Sequence, residues 1–234
     1  MTIKIEAKGI RKIIAERMLE SWHISPRVSY SVSVDTTNLK RYREELNSNF
    51  IKDGNHVTIN HILIMACSEM LKEFSYANSS FDGKTITVHD DINIGLAVSI
   101  DNGLMVPNIK NVQEKTLDEI VLETNRIIKG AQNMKLNYDD ITGGTFTISN
   151  LGMFGIESFS PIINQPELAI LGVNAIIDKP VALNGEVVIR PMMTLDLVAD
   201  HRVIDGVYAA KMLASIKTLL EEPDRMNHKL KRAV

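Results

Sequence analysis

A single cysteine, Cys67, stands in 234 residues, which excludes an internal disulfide and any zinc site built on cysteine. Set in a helical pattern, its thiol is expected to pack as a small apolar group. A reducing compartment fits, cytoplasmic or, in a eukaryote, the mitochondrial matrix. No apolar run approaches the length of a membrane span, and Met1-Thr2-Ile3-Lys4-Ile5-Glu6 does not read as a signal peptide. Neither sign of charge dominates: 26 Lys and Arg against 29 Asp and Glu leave −3, so no basic field calls for nucleic acid or an anionic membrane. Repeats, low-complexity tracts and proline-rich linkers are lacking too. The whole of residues 1–234, 44% hydrophobic, therefore reads as one domain. His23, His56, His61, His89 and His228 show no ligand spacing backed by carboxylates, so surface or capping roles are expected and no metal. Gly143-Gly144 precedes a strand and no Gly-Lys-Ser/Thr follows, which excludes a phosphate loop.

What the chain does have is periodicity. Ile10, Ile13, Ile14, Met18 and Leu19 recur at helical spacing over about 9–22. Past Pro26, Val28, Tyr30, Val32 and Val34 alternate with serines as in a strand with one buried face. Asp35-Thr36-Thr37 opens a second helix running to about Asn49, Lys52-Asp53-Gly54-Asn55 reads as a loop, and Thr58 caps a long apolar helix to Phe74 that should be buried on most of its surface. Strands are expected over Thr85–Val88, Ile92–Ile100 and Leu104–Ile109, the last two joined at Asp101-Asn102-Gly103. A helix capped by Thr116 runs to about Lys129. Strands follow over 145–150, 168–173, 186–192 and 193–199, and a closing helix over 207–220. The pattern is α/β (α+β): a mixed sheet flanked by helices. Met65, Met70, Met192 and Met193 read as core filling.

Two stretches carry chemistry. Asp200-His201-Arg202-Val203-Ile204-Asp205-Gly206 puts an imidazole and a carboxylate on a strand-to-helix turn, where an imidazole can work as a base near neutral pH. An isolated His-x-x-x-Asp is more often a satisfied turn than a site. The second stretch shifts that balance: Ser149 ends a strand before the glycine-punctuated loop Leu151-Gly152-Met153-Phe154-Gly155.

With these stretches the chain resembles the dihydrolipoamide acyltransferases that form the core of 2-oxo acid dehydrogenase complexes. The resemblance rests on Gly143 to Gly155, on Pro161-Ile162-Ile163-Asn164-Gln165-Pro166-Glu167-Leu168-Ala169-Ile170-Leu171-Gly172-Val173, on Asp200 to Gly206 and on Arg11-Lys12-Ile13-Ile14-Ala15-Glu16-Arg17-Met18. It implies a fold like chloramphenicol acetyltransferase and a homotrimer, alone or within a larger core, with active sites in channels between subunits. It also implies transfer of an acyl group between the thiols of dihydrolipoamide and coenzyme A. His201 matches the general base, Ser149 the oxyanion donor and Asp205 the third active-site position. For Asp205 a supporting role in the turn, with Arg17 or Arg11 as partner, is favoured over orienting His201. Gly206 is expected to allow the tight turn. Asn150 and Arg202 are the candidates for meeting coenzyme A, with a plain turn role for Asn150 about as fitting.

The resemblance also implies partners: a lipoyl domain, since the chain has no lipoyl lysine motif and no peripheral-subunit-binding domain, and the decarboxylase and dihydrolipoamide dehydrogenase of the complex. The Asn150–Gly155 loop looks more like acetyl-transferring members, of pyruvate or acetoin complexes, than succinyl-transferring ones, with branched-chain transfer open. A small-molecule acetyltransferase of the same fold and a purely structural assembly core are the other readings. The tail over 221–234 is mostly charged where family members carry a leucine-rich segment that docks on a neighbouring trimer, which leaves Met226 or Leu230 as the candidate anchors.

Overall fold

The computed structural model describes residues 2–4, 6–50, 55–101 and 103–230. In chain order the elements are α1 (Ile10–Ile24), β1 (Arg27–Asp35), α2 (Thr37–Phe50), α3 (Ile59–Glu73), β2 (Ser79–Phe81), β3 (Ile86–Val88), β4 (Ile94–Leu96), β5 (Val98–Ile100), β6 (Gly103–Met105), β7 (Asn108–Ile109), α4 (Leu117–Gln132), β8 (Phe146–Asn150), β9 (Ala169–Leu183), β10 (Glu186–Asp200) and α5 (Gly206–Glu221). Two of the helices, α3 and α4, begin where the capping chemistry places them. Thr58 and His61 form a reciprocal capping box at α3, as Thr116 and Glu119 do at α4. The predicted loop residues Lys52–Gly54 and the turn residue Asn102 lie outside the described residues; the strands on either side of Asn102 do pair, Ile100 opposite Gly103.

Six strands make the main sheet in the order β1-β10-β9-β8-β4-β7, parallel at β9-β8 and β8-β4 and antiparallel elsewhere. Alternation then sorts side chains onto two faces. Tyr30, Leu197, Leu171, Ile148 and Leu96 sit opposite one another in a row. That face forms the main core with α3 and α5, and α3 is buried nearly all round. The other face carries Ser31, Asp196, Gly172 and Ser149 in a row and is covered by the chain over 156–166, where Ile163, Ile170 and Val198 make a small second core.

Four expectations need correction. The run Ile92–Ile100 is two strands in two sheets, because Ala97 gives its N–H to Ile148 O and β5 turns off to pair with β6. The run Leu104–Ile109 breaks likewise at Pro107, which has no N–H for a ladder. The strand expected at 168–173 continues to Leu183, and 186–192 with 193–199 is one strand; Asn184 and Gly185, at φ 52° and 86°, make the tight turn between the two long strands. Finally, Met226 is no anchor for a neighbour: it is fully buried in this chain's own core, with Leu230 packed against it. Beside it Lys229 Nζ donates to the carbonyls of Val112 and Gln113 at 2.9 and 2.8 Å, so the charged tail closes on its own body. The opening helix is present but packs weakly, leaving Ile13, Leu19 and Trp22 more than half exposed.

Candidate active site

The turn after β10 is built around Asp200, which is 0% exposed. Its carboxylate accepts from Arg202 N–H at 3.0 Å, Nε at 3.0 Å and Nη2 at 2.7 Å, and its backbone oxygen accepts from the N–H groups of Val203 and Ile204. Burial alone would raise the Asp200 pKa; the hydrogen bonds from Arg202 and Ser25 hold it below the usual carboxylate range instead. The guanidinium of Arg202 also sits 5.0 Å over the Phe81 ring. The turn is therefore rigid from its first residue. His201 gives its backbone N–H to Pro26 O and leaves its imidazole exposed at the sheet rim.

Asp205 is the N-cap of α5, and Oδ1 accepts from Tyr208 N–H at 2.9 Å. The hydrogen bond the structure gives it is thus from a helix start, and Arg17 lines a cleft of about 1000 Å³ beneath α1. Gly206 does not need to be glycine for the turn: its φ lies outside the left-handed region, and a Cβ would meet only Tyr30, at 3.7 Å. The carboxamide of Asn150 is engaged on both sides, Oδ1 accepting from Gly152 N–H at 2.8 Å and Nδ2 donating to Asn60 Oδ1 at 2.7 Å.

Ser149 is half-buried near the end of β8, opposite Gly172. Asp200 gives its N–H to Leu168 O, four residues back along β9 from Gly172. At about 3.3 Å per residue and about 4.8 Å per strand, Ser149 and Asp200 lie roughly 16 Å apart, and His201 lies further out. The structure places His201, Arg202 and Asp205 on one turn and leaves Ser149 and Asn150 two strands away and further along the sheet.

Buried acids escaped the sequence reading, among them Asp196 and Glu167. Asp196, within the strand run 193–199, is 2% exposed. Glu167 is equally buried, with Oε1 accepting from Thr147 Oγ1 at 2.9 Å and Asn164 Nδ2 at 2.8 Å, and burial pushes its pKa up to about 8. For Asp196 the cue was a polar residue alternating inside a strand that has strands on both sides; Glu167, outside the named strands, carried no such cue. A pKa raised above the unfolded value means stability is full at low pH and is lost as pH rises toward 8. Glu167→Gln is expected to match the wild type near pH 4 and to exceed it by about 2 kcal/mol or more at pH 8. Urea titrations across that range check it; parallel curves for the two proteins would show that ionising Glu167 costs the fold nothing.

The sheet and its helices have the fold of chloramphenicol acetyltransferase, with a TM-score of 0.57 at 14% identity. Within that class the chain belongs to the family described as 2-oxoacid dehydrogenases acyltransferase (catalytic domain), whose model matches residues 2–228. It is 39% identical over 219 residues, 93% of its length, to the dihydrolipoyllysine-residue acetyltransferase component of the pyruvate dehydrogenase complex of Rickettsia felis. It is 41% identical over 225 residues, 95% of its length, to the succinyltransferase component of the 2-oxoglutarate dehydrogenase complex of Pseudomonas aeruginosa. The chain spans about half of each relative, 53% and 55%. The solved dihydrolipoamide acetyltransferase of Azotobacter vinelandii superposes with a TM-score of 0.92 at 34% identity, covering 97% of this chain and 94% of that one. Work on that structure addressed a serine, a histidine and an asparagine in the catalytic mechanism, the first two 52 positions apart and the last two 4 apart.

Proposed function

We propose that this chain transfers an acyl group, acetyl first, between the thiols of dihydrolipoamide and coenzyme A, with His201 as general base and Ser149 as oxyanion donor. The observation that carries this is the spacing. Ser149, His201 and Asp205 stand 52 and 4 positions apart, the separations of the Azotobacter trio, on a backbone that superposes closely. Asp205 stands where that trio has asparagine, and its work here is to cap α5 beside the base.

The chemistry suits these side chains. The attacking thiol, with an ordinary pKa of about 8.5, gives its proton to an imidazole of ordinary pKa about 6.5, an uphill step of only about 3 kcal/mol. The thiolate attacks the thioester carbonyl carbon, and the oxygen that takes up the negative charge accepts from Ser149 Oγ–H, a donor typically worth about 3 kcal/mol. Collapse breaks the old C–S bond, and the departing thiolate recovers the proton from the imidazolium. Because Ser149 and His201 are too far apart in one chain, the site is shared between two copies, which supports a trimer. The lipoyl group arrives on another domain, as a complex with decarboxylase and dihydrolipoamide dehydrogenase components supplies it.

The test is transfer from acetyl-, succinyl- and isobutyryl-coenzyme A to free dihydrolipoamide by the wild-type chain. Acetyl preferred over the others supports the reading. Succinyl preferred keeps the family chemistry and reassigns the acyl group, in line with the Pseudomonas relative; transfer of none removes the proposal.

A further inference from the structure

The polar row on the loop-covered face holds a buried carboxylate that acyl transfer does not touch. Asp196 sits between Ser31 and Gly172, and Gly172 lies opposite Ser149, so all four residues point to one side of the sheet. Asp196 Oδ1 accepts from Ser31 Oγ at 2.5 Å. Oδ2 accepts from Asn174 Nδ2 at 2.7 Å, Phe159 N–H at 3.1 Å and Ser158 Oγ at 3.2 Å. None of these four donors is charged. A carboxylate buried against neutral partners is tolerated only when its acceptor sites are filled, and here they are. The cost is visible next door: Asn174 donates to Asp196 and to Thr194 O, which leaves its own Oδ1 buried without a partner among the described residues.

Two of the four donors belong to the segment that follows the glycine-punctuated loop. That loop is fastened near Ser149 by Leu151 N–H to Val173 O at 2.9 Å, and further on by Ala175 N–H to Ile156 O at 2.7 Å. Past Ile156 the chain crosses the sheet, where Ser158 and Phe159 meet Asp196 and Ser160 meets Ser29. Gly172 makes room for the crossing: a Cβ there would stand 3.2 Å from two carbons of the Phe159 ring. Between the fastenings, Met153 and Phe154 project into solvent, 84% and 67% exposed, on the loop that starts two residues after Ser149.

We propose that Asp196 is a positioning residue for acyl transfer: by binding Ser158 and Phe159 it holds the 151–160 loop against the sheet and fixes that loop beside Ser149. The catalytic part of this inference rests on the acyl-transfer reading; the clamp itself does not. Asparagine is no substitute, because its single oxygen cannot accept from all four donors and its amine would face them.

The experiment pairs hydrogen exchange with kinetics in Asp196→Asn and Asp196→Ala. Exchange over 151–160 should rise at least about tenfold while α3 and α5 stay protected. Acetyl transfer should lose about 100-fold in kcat per mole of folded protein, with KM for coenzyme A moving less than about threefold, as expected for a displaced reacting group. If these variants do not fold, Ser158→Ala removes one donor and leaves three, and should cost about threefold to tenfold in kcat with exchange raised only in this segment. Unchanged exchange at 151–160 overturns the clamp. A loosened loop with undiminished kcat overturns the positioning role. A wild type that transfers no acyl group removes the catalytic part together with the acyl-transfer proposal, while the exchange result still decides for or against the clamp.

Discussion

His201→Ala is expected to lower acyl transfer by about 1,000-fold, and Ser149→Ala by about 100-fold or more, with neither change reducing stability appreciably. In the proposed mechanism the first removes the proton acceptor and the second a donor to the developing oxyanion. His201 is exposed and its tether is through the backbone, so the fold does not need the imidazole. The sharper expectation concerns the two variants together. With Ser149 and His201 roughly 16 Å or more apart across the sheet, a site shared by two copies draws its serine from one chain and its histidine from another. In mixed trimers that contain both inactive variants, about a third of the sites, one in each trimer, then hold both groups intact. Activity should return to about that fraction of wild type, far above either variant alone. Co-expression with two different tags, followed by assay of doubly purified trimers, reads this directly. No recovery would place both groups' action within one chain, against the distance across the sheet.

Arg202→Ala is expected to destabilise the chain by about 3 kcal/mol or more at neutral pH, because it strands the fully buried carboxylate of Asp200 without its bidentate partner. The pH dependence follows from the direction of the Asp200 shift. A carboxylate whose folded pKa is depressed contributes stability above its unfolded value, and that contribution fades as pH falls through the folded one. The gap between variant and wild type should therefore be full at pH 7 and shrink below about pH 4. Chemical denaturation at both values checks it. Arg202 was also a candidate for meeting coenzyme A; in that role its loss would raise KM for coenzyme A and leave the denaturation midpoint in place.

How much of this was legible in the sequence depended on how local the signal was. The caps of α3 and α4, the amphipathic face of α4, the strand at β1 and the turn at Asp200–Gly206 each rest on residues within a few positions of one another, and all were found. The breaks at Ala97 and Pro107 were not, because what splits those runs is which neighbouring strand each half pairs with. Asn184-Gly185 is a local turn signal that went unread. Met226 looked like a free apolar residue in a charged tail; only the packing of residues 223–230 against the body turns it inward, with Lys229 satisfied by backbone carbonyls.

The sequence by itself determined the family, the residues that carry its motifs and the chemistry those side chains can do, since the identity of a base or a hydroxyl is set by its covalent structure. The tertiary structure alone decided where they stand. It put Ser149 and His201 roughly 16 Å or more apart across the sheet, made Asp205 a helix cap and paired Arg202 with Asp200. It also buried Asp196 and Glu167, the first in an alternating strand under a covering segment and the second in the stretch just before β9. Burial and distance are properties of pairs far apart in the chain, and no window of residues contains them.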